Sequence, residues 1–445
     1  MYKEQLNNVD VSDTKYEESD GDLLINNLIY EMPRSLSLAT GRSFVSQFPQ
    51  RQSYEVNRNN TVIFDFNTGN SFIDSSNSYL RFKLRVINAK TGVLDSGCAV
   101  FGVGSALNLI HSYRIRSRSG VELDRLENAN LYNSTRIAYT KSTNWTQTVG
   151  SSFYSNSATN PLFNGLNTYT PEITIPLKEL STFFCPLKGQ LIPPQIASGL
   201  RIELELESIN KAFQDPNGYL QEANGKVELF DIAIVLDTVA LSDETSKILN
   251  LEASQSGLEY SFSRVYNYSS TFPTGSTTAN IQCSKAVSQA TQSFVISQGS
   301  TNTQAFAQDS FLSELFAYKS YQFRLGSAYY PNQPTLSQTT AASASIRGME
   351  CYIQVLSAFE KLKQPYQETS ITPLAFMQNR GILSVDFQRN QSLMVSGLPI
   401  NNSRILEILL ERDASFDAGQ SRDINVFLTY ISVAKAYIDN LSVSI

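Results

Sequence analysis

The chain is poor in the residues that most enzyme chemistry uses. It has one histidine, one tryptophan and four cysteines in 445 residues. With His111 alone, Ser-His-Asp or Cys-His catalysis would be confined to one position, and no G-x-S-x-G elbow surrounds any serine. There is no G-x-x-x-x-G-K-S/T phosphate loop, and the GVGS at 102–105 lacks the rest of a nucleotide fingerprint. Cys98, Cys185, Cys283 and Cys351 are far apart and share no metal spacing, which reads as buried thiols in a reducing compartment. Asp10, Asp13 and the acids at 17–22 lack the glycine and spacing of an EF-hand loop. No catalytic, cofactor-binding or metal-binding residue can be assigned, and no cofactor is expected.

Long apolar runs are missing too. None approaches the ~18 residues of a membrane helix. The N-terminus, MYKEQLNNVDVSDTKYEESDGD, has seven acids and two lysines and no apolar h-region, so secretion by a signal peptide is not expected. Charged residues make up 17% of the chain, below the usual ~25%. The net charge of −6 argues against a protein that coats nucleic acid, and no sequence-specific nucleic-acid partner is expected.

What the chain does have is alternation. In Arg201–Glu207, Ile202, Leu204 and Leu206 point to one side and Glu203, Glu205 and Glu207 to the other, the period of a strand with one buried face. Pro193-Pro194 cannot sit in a ladder and marks where that strand begins. TVIFDF at 61–66 and YLRFKLRVI at 79–87 show the same period, the second with Arg81, Lys83 and Arg85 outward. In SYRIRSR at 112–118, Tyr113 and Ile115 point in and Arg114, Arg116 and Arg118 out. Further strands are read at 258–268, 293–296, 321–325 and 383–387. Helical spacing is read in 121–137 from Leu123, Leu126 and Leu131. It is clearest at 347–362, where Met349, Tyr352, Ile353, Leu356, Phe359 and Leu362 share a face and Pro365 follows.

One layout occurs twice. LIPPQIASGLRIELELES is followed by a polar loop and KVELFDIAIVLDTVAL; near the C-terminus, LPINNSRILEILLERD is followed by a polar loop and INVFLTYISVAKAYIDNLSV. Each copy is a proline, polar residues with a serine (Ser198, Ser403), an acidic strand and a long apolar strand. The chain therefore reads as all-β, with two similar antiparallel domains in tandem, each closed by this pair and carrying short helices in its connections. The expected bounds are an arm at 1–55, a first domain at 56–241, a capped connector at 242–257 and a second domain at 258–445. Many short strands at turn-rich intervals suit a sandwich or barrel, of which the jelly roll is the eight-stranded form.

The charged rows allow two readings. One makes Arg81, Lys83, Arg85, Arg114, Arg116 and Arg118 cross-strand partners of acidic rows such as Glu203, Glu205 and Glu207; the other makes these nine residues contacts to a neighbouring subunit. The acids at 203–207 and Glu407/Glu411 are also the pairs a glycoside hydrolase would have to use, since that chemistry needs only two carboxyls some 5–10 Å apart. A solvated or interfacial strand face explains their regular alternation more simply.

Four phrases resemble a known family: SFIDSSNSYLRFKL (71–84), SALNLIHSYRIRSRSGVELDRLEN (105–128), FRLGSAYYPNQP (323–334) and RDINVFLTYISVAKAYIDN (422–440). With the tandem domains, they resemble the double jelly-roll major capsid proteins of the adenovirus and tectivirus lineage, in the small polinton-like or virophage style. The resemblance covers 55–445. It implies two eight-stranded jelly rolls and a homotrimer whose six jelly rolls tile an icosahedral virion assembled inside the host cell. It also implies an N-terminal arm tying neighbouring capsomers, minor capsid and penton proteins as partners, and low outer towers, because loops such as 140–168 and 297–310 are short. The alternatives are a virion spike or carbohydrate-binding β-protein for attachment and, behind it, a glycan-degrading enzyme.

Overall fold

In the computed structural model, the described residues are 39–58, 60–92, 100–101, 105–155, 172–214, 220, 225–299, 313, 318–336, 349–362, 368–388, 396–412, 421–437 and 441–444. In the first half the strands are β1 (Ala39–Gln47), β2 (Ser53–Glu55), β3 (Thr61–Asp65), β4 (Phe72–Ile87), β5 (Val100–Phe101), β6 (Ile110–Arg116), β7 (Glu122–Leu126), β8 (Glu172–Pro176), β9 (Arg201–Leu206), β10 (Phe213–Gln214) and β11 (Lys226–Leu241). One sheet runs β1-β11-β4-β8, with β2 also on β11; the other runs β3-β9-β6-β7, and β5 pairs with β10.

The second half has β12 (Leu258–Phe272), β13 (Thr278–Cys283), β14 (Val287–Gly299), β15 (Tyr318–Leu325), β16 (Ala328–Leu336), β17 (Leu383–Asp386), β18 (Leu398–Ile400), β19 (Leu406–Arg412), β20 (Arg422–Ala436) and β21 (Leu441–Ser444). Its sheets are β12-β20-β14-β17, with β18 on β14 and β21 on β20, and β13-β19-β15-β16.

Setting aside β2, β5, β10, β18 and β21 leaves eight main strands in each half. Numbered in chain order, both halves then read 1-8-3-6 in one sheet and 2-7-4-5 in the other. Eight antiparallel strands interleaved between two sheets in this way form a jelly roll. The layout that recurs in the sequence occupies the seventh and eighth places in each half, β9 with β11 and β19 with β20.

Alternation explains the buried faces. Val62, Phe64, Ile202, Leu204, Tyr113 and Ile115 of the first half's second sheet are all buried, as are Leu80, Phe82, Leu84 and Val86 of β4 opposite. Ile281, Phe323, Ile408 and Leu410 of the second half take the matching places against Phe294, Val426 and Leu428. β20 reads as an almost unbroken apolar run because it is buried on both faces.

Ala39–Gln47, which the sequence reading leaves in the arm, is a strand paired along its length with β11. Its residues are mostly exposed, so packing alone does not hold it. Arg42 anchors it, pairing with the fully buried Asp237 of β11 and, at 2.7 Å, with Asp74 of β4. An alternation pattern cannot reveal a strand held by its edge hydrogen bonds and one arginine.

Two further expectations need correcting. The stretch 121–137 is not a single helix: β7 comes first, as a hairpin with β6 across a turn at Gly120 (φ +83), and helix α1 (Ala129–Thr140) follows. Leu123 and Leu126 are three apart, yet both are buried from a strand. Between β11 and β12 lies α2 (Asp243–Gln255), capped by Ser242 accepting a hydrogen bond from the Thr245 amide. Helix α3 (Met349–Ala358) forms within the expected stretch but buries Cys351, Tyr352 and Val355, while Met349, Ile353 and Leu362 are exposed. A step of three or four fits more than one stripe on so apolar a helix, and the stripe facing β17 is the one that is buried.

Candidate functional site: charged strand faces and the seam between the halves

Strands β6 and β9 are neighbours, with Arg114 opposite Glu203 and Ser112 opposite Glu205. Because side chains alternate, the basic and acidic rows lie on one outward face. Arg116 Nη1 is 3.9 Å from Glu203 Oε1, and Arg201 Nε approaches the same oxygen at 3.2 Å. Arg114 Nε lies 3.4 Å from Glu122 Oε2 on β7, and Glu205 accepts a 2.8 Å hydrogen bond from Ser112 Oγ.

The other basic row, on β4, meets acids of β11. Lys83 Nζ is 2.7 Å from Asp231 Oδ2, Arg81 Nη2 is 3.9 Å from Asp231 Oδ1, and Arg85 Nη1 is 3.1 Å from Glu228. Asp231 takes φ +51 at a bulge where the β4–β11 register shifts, which aims one carboxylate at two cations. The Lys83 hydrogen bond holds this carboxyl below its usual range and raises the lysine. The second half repeats the device on its fourth and seventh strands: Lys319 pairs with Glu411 at 2.7 Å and Arg324 with Glu407 at 3.2 Å.

Two residues depart from the rows. Glu207 lies just past the end of β9, where the backbone turns into the short helix Ile209–Ala212, and it is buried. It accepts hydrogen bonds from Asn130 Nδ2 of α1 at 3.0 Å and from its neighbour Ser208's amide at 2.9 Å, and it pairs with His111 Nδ1 at 2.9 Å. Burial alone would raise its pKa; the His111 hydrogen bond and charge, Lys211 and the Ser208 amide outweigh it and bring it to about 2. Arg118 lies two residues beyond β6, is exposed, and has no carboxylate partner among the described residues.

The halves meet at a seam that combines a polar cluster with aromatic packing. Arg264 of β12, nearly buried, lies 3.7 Å from Oδ1 of Asp124 and 3.6 Å from Glu122, both on β7. Asp124 is fully buried and accepts from Tyr113 Oη at 2.9 Å, Ser181 Oγ at 2.8 Å and the Arg125 amide. Burial raises its pKa, against the pull of Arg264 and these hydrogen bonds. Tyr132 of α1 packs on Phe294 and Phe427 of the second half, with ring centroids 5.6 and 5.5 Å apart. Tyr139 of the same helix stacks on Phe359 at 5.4 Å.

No protein-family model matches the sequence, and no curated protein does. Solved structures do. PBCV-1 VP54, fitted into a cryo-EM reconstruction of the virophage Sputnik, superposes with a TM-score of 0.58 over 91% of this chain and 97% of its own, at 10% identity. The Faustovirus major capsid protein gives 0.56 over 94% of each chain at 9% identity. The Sputnik virophage structure gives 0.54 over 94% of this chain and 92% of its own, at 10% identity. This chain has the double jelly-roll fold.

Sequence reasoning missed the link between the two jelly rolls. Arg264 follows Tyr260 and Phe262 at steps of two and so shares their buried face, which is the signal that could have marked it. The β11 partners Glu228 and Asp231 were missed because a bulge separates them. Among the described residues, no group of three or more His, Cys, Asp or Glu is placed to hold a metal ion, and no helix is long and apolar enough to cross a membrane.

Proposed function

We propose that the protein is a structural coat subunit, a major capsid protein whose trimers tile an icosahedral virion. The observation that carries this reading is the duplication of one strand order in a single chain, 1-8-3-6 over 2-7-4-5, whose two copies are joined through a buried seam. Three such chains would present six jelly rolls, the number a pseudo-hexagonal tile needs. The coat proteins of PBCV-1, Faustovirus and Sputnik share the double fold over nearly the whole chain, which supports extending their role to this one. On this reading the partners are two further copies, neighbouring capsomers reached through residues upstream of Ala39, and minor capsid and penton proteins. The site of action is the virion, built inside the host cell. The rows at Arg81, Lys83, Arg85, Arg114 and Arg116, with Glu203 and Glu205, would act at subunit boundaries as paired, low-charge faces. The role is structural and needs no catalytic group.

Mass in solution tests it. A stable species of about 150 kDa, three times 49.5 kDa, that tiles into shells is the expected result. A protein that stays monomeric at high concentration and binds glycans would overturn it in favour of an attachment role.

A further inference from the structure

A groove of about 810 Å³ opens between the first jelly roll, α2 and the last strands, a size that takes a small ligand. Arg118 is the one charged residue in its described lining. It is also the one cation of the basic rows without a carboxylate partner among the described residues. Its stem is laid against backbone: a Cβ on Gly199, which takes φ +79, would fall 2.8 Å from Arg118 Cβ and 2.9 Å from Cγ. A positioned guanidinium with no acid beside it is ready to take one from a ligand.

The rest of the lining says what else that ligand carries. Asn250 of α2 accepts a 3.0 Å hydrogen bond from Gln195 Nε2 on its Oδ1, which orients the amide and leaves Nδ2 free to donate. The hydroxyls of Ser198, just past the helical turn Pro194–Ala197, and of Ser246 on α2 also line the groove and bond to no described residue. Donors and hydroxyls thus come from the jelly roll and from α2 together. The half-buried Phe72 and Leu249 add apolar surface between them. A single cation suits one acidic group and falls short of the several that a nucleic-acid backbone recruits. Hydroxyls, amides and an apolar patch match the ring hydroxyls and C–H face of a sugar. We propose that this groove binds an acidic saccharide, with its carboxylate or sulfate on Arg118 and its ring hydroxyls on Ser198, Ser246 and Asn250. This proposal does not depend on the coat role.

Calorimetric titration of the full-length protein tests it with four probes: glucuronic acid, N-acetylglucosamine 6-sulfate, glucose and inorganic sulfate. At least one acidic sugar should saturate one site per chain, and which one does so tells carboxylate from sulfate. Glucose and sulfate, each carrying half of the recognised chemistry, should bind at least tenfold more weakly. Arg118→Ala should weaken the acidic sugar at least tenfold, with Arg118→Lys in between because it keeps the charge and loses the fork. S246A/N250A should weaken the acidic sugar and leave sulfate unchanged. Arg58→Ala, at an exposed arginine outside the groove, should change nothing. Matching melting temperatures establish that the variants are folded. No binding of either acidic sugar, or binding that survives Arg118→Ala, would overturn the proposal. Sulfate binding as tightly as the acidic sugars would overturn it too, by leaving a simple anion site, and so would an equal loss in Arg58→Ala.

Discussion

Arg264, on the first strand of the second jelly roll, comes within 3.7 Å of Asp124, a fully buried carboxylate of the first. Without Arg264 the buried Asp124 carboxylate would lose its cation, whereas Arg264 also has Glu122 at 3.6 Å, so the pair penalises any arrangement that separates the halves. Arg264→Met should therefore cost about 3–5 kcal/mol, because it strands the carboxylate. Adding Asp124→Asn should recover part of that loss, since the amide is neutral and keeps an oxygen for the Tyr113 and Ser181 hydroxyls. Urea denaturation of both single variants and the double variant measures the coupling. Additive losses would show that the two side chains do not act as a pair.

His111 and Glu207 make stability depend on pH at two places. The Glu207 hydrogen bond raises the histidine above 6.5, so its contribution is present below that value and fades as pH rises through the shifted one. Glu207 is lowered from 4.5 to about 2, so its contribution is present above pH 4.5 and is lost as pH falls towards 2. The pair is thus most stabilising between about 4.5 and 6.5. A series of thermal melts across pH 4 to 9 should show His111→Gln most destabilising near pH 6 and converging with the unaltered protein near pH 9. A constant difference across that range would rule out the linkage.

Much of this fold is legible in the sequence wherever one face of a strand is buried and the other is wet. Arg201–Leu206 alternates cleanly, and Leu406–Arg412 does so apart from Leu409 on the outer face and Arg412 on the inner one; they mark the seventh strand of each jelly roll. Legibility fails where something other than alternation sets the structure. β1 is held by hydrogen bonds along its edge and by Arg42. β7 holds Asp124 inside because its partners come from elsewhere in the chain. Asp231 meets Lys83 only through a bulge. Of the charged rows, the residue types and the outward face were readable, but Glu207 is turned inward at the end of its strand and Arg118 lies past the end of its own.

Phe294 is the hub of the aromatic packing in the seam, with the rings of Tyr132, Phe359 and Phe427 all within 5.6 Å of it. It is fully buried, so truncation leaves a cavity whose walls belong to both jelly rolls. Phe294→Ala should cost about 3–5 kcal/mol. Phe294→Leu, which retains most of the volume, should cost much less. Chemical denaturation of the two variants decides this, and equal losses would mean that ring packing is not what the site supplies.

The basic row on β6 separates intrachain pairing from a role at a subunit boundary. Reversing Arg114 and Arg116 to Glu sets them beside Glu122 and Glu203, their present partners at 3.4 and 3.9 Å. Like charges on adjacent strands destabilise a sheet, so the melting temperature of R114E/R116E should fall. These groups are about one-third exposed, so the expected loss is small, on the order of 1 kcal/mol. Adding E122K and E203K restores these two pairs but sets a lysine beside Arg264 and Arg201, so it should recover only part of the melting temperature. If the double reversal instead leaves the melt unchanged but lowers the mass of an associated species to that of the monomer, the row faces a neighbouring subunit. A quadruple variant that recovers its melt to that extent and still fails to associate would separate the two roles on one surface.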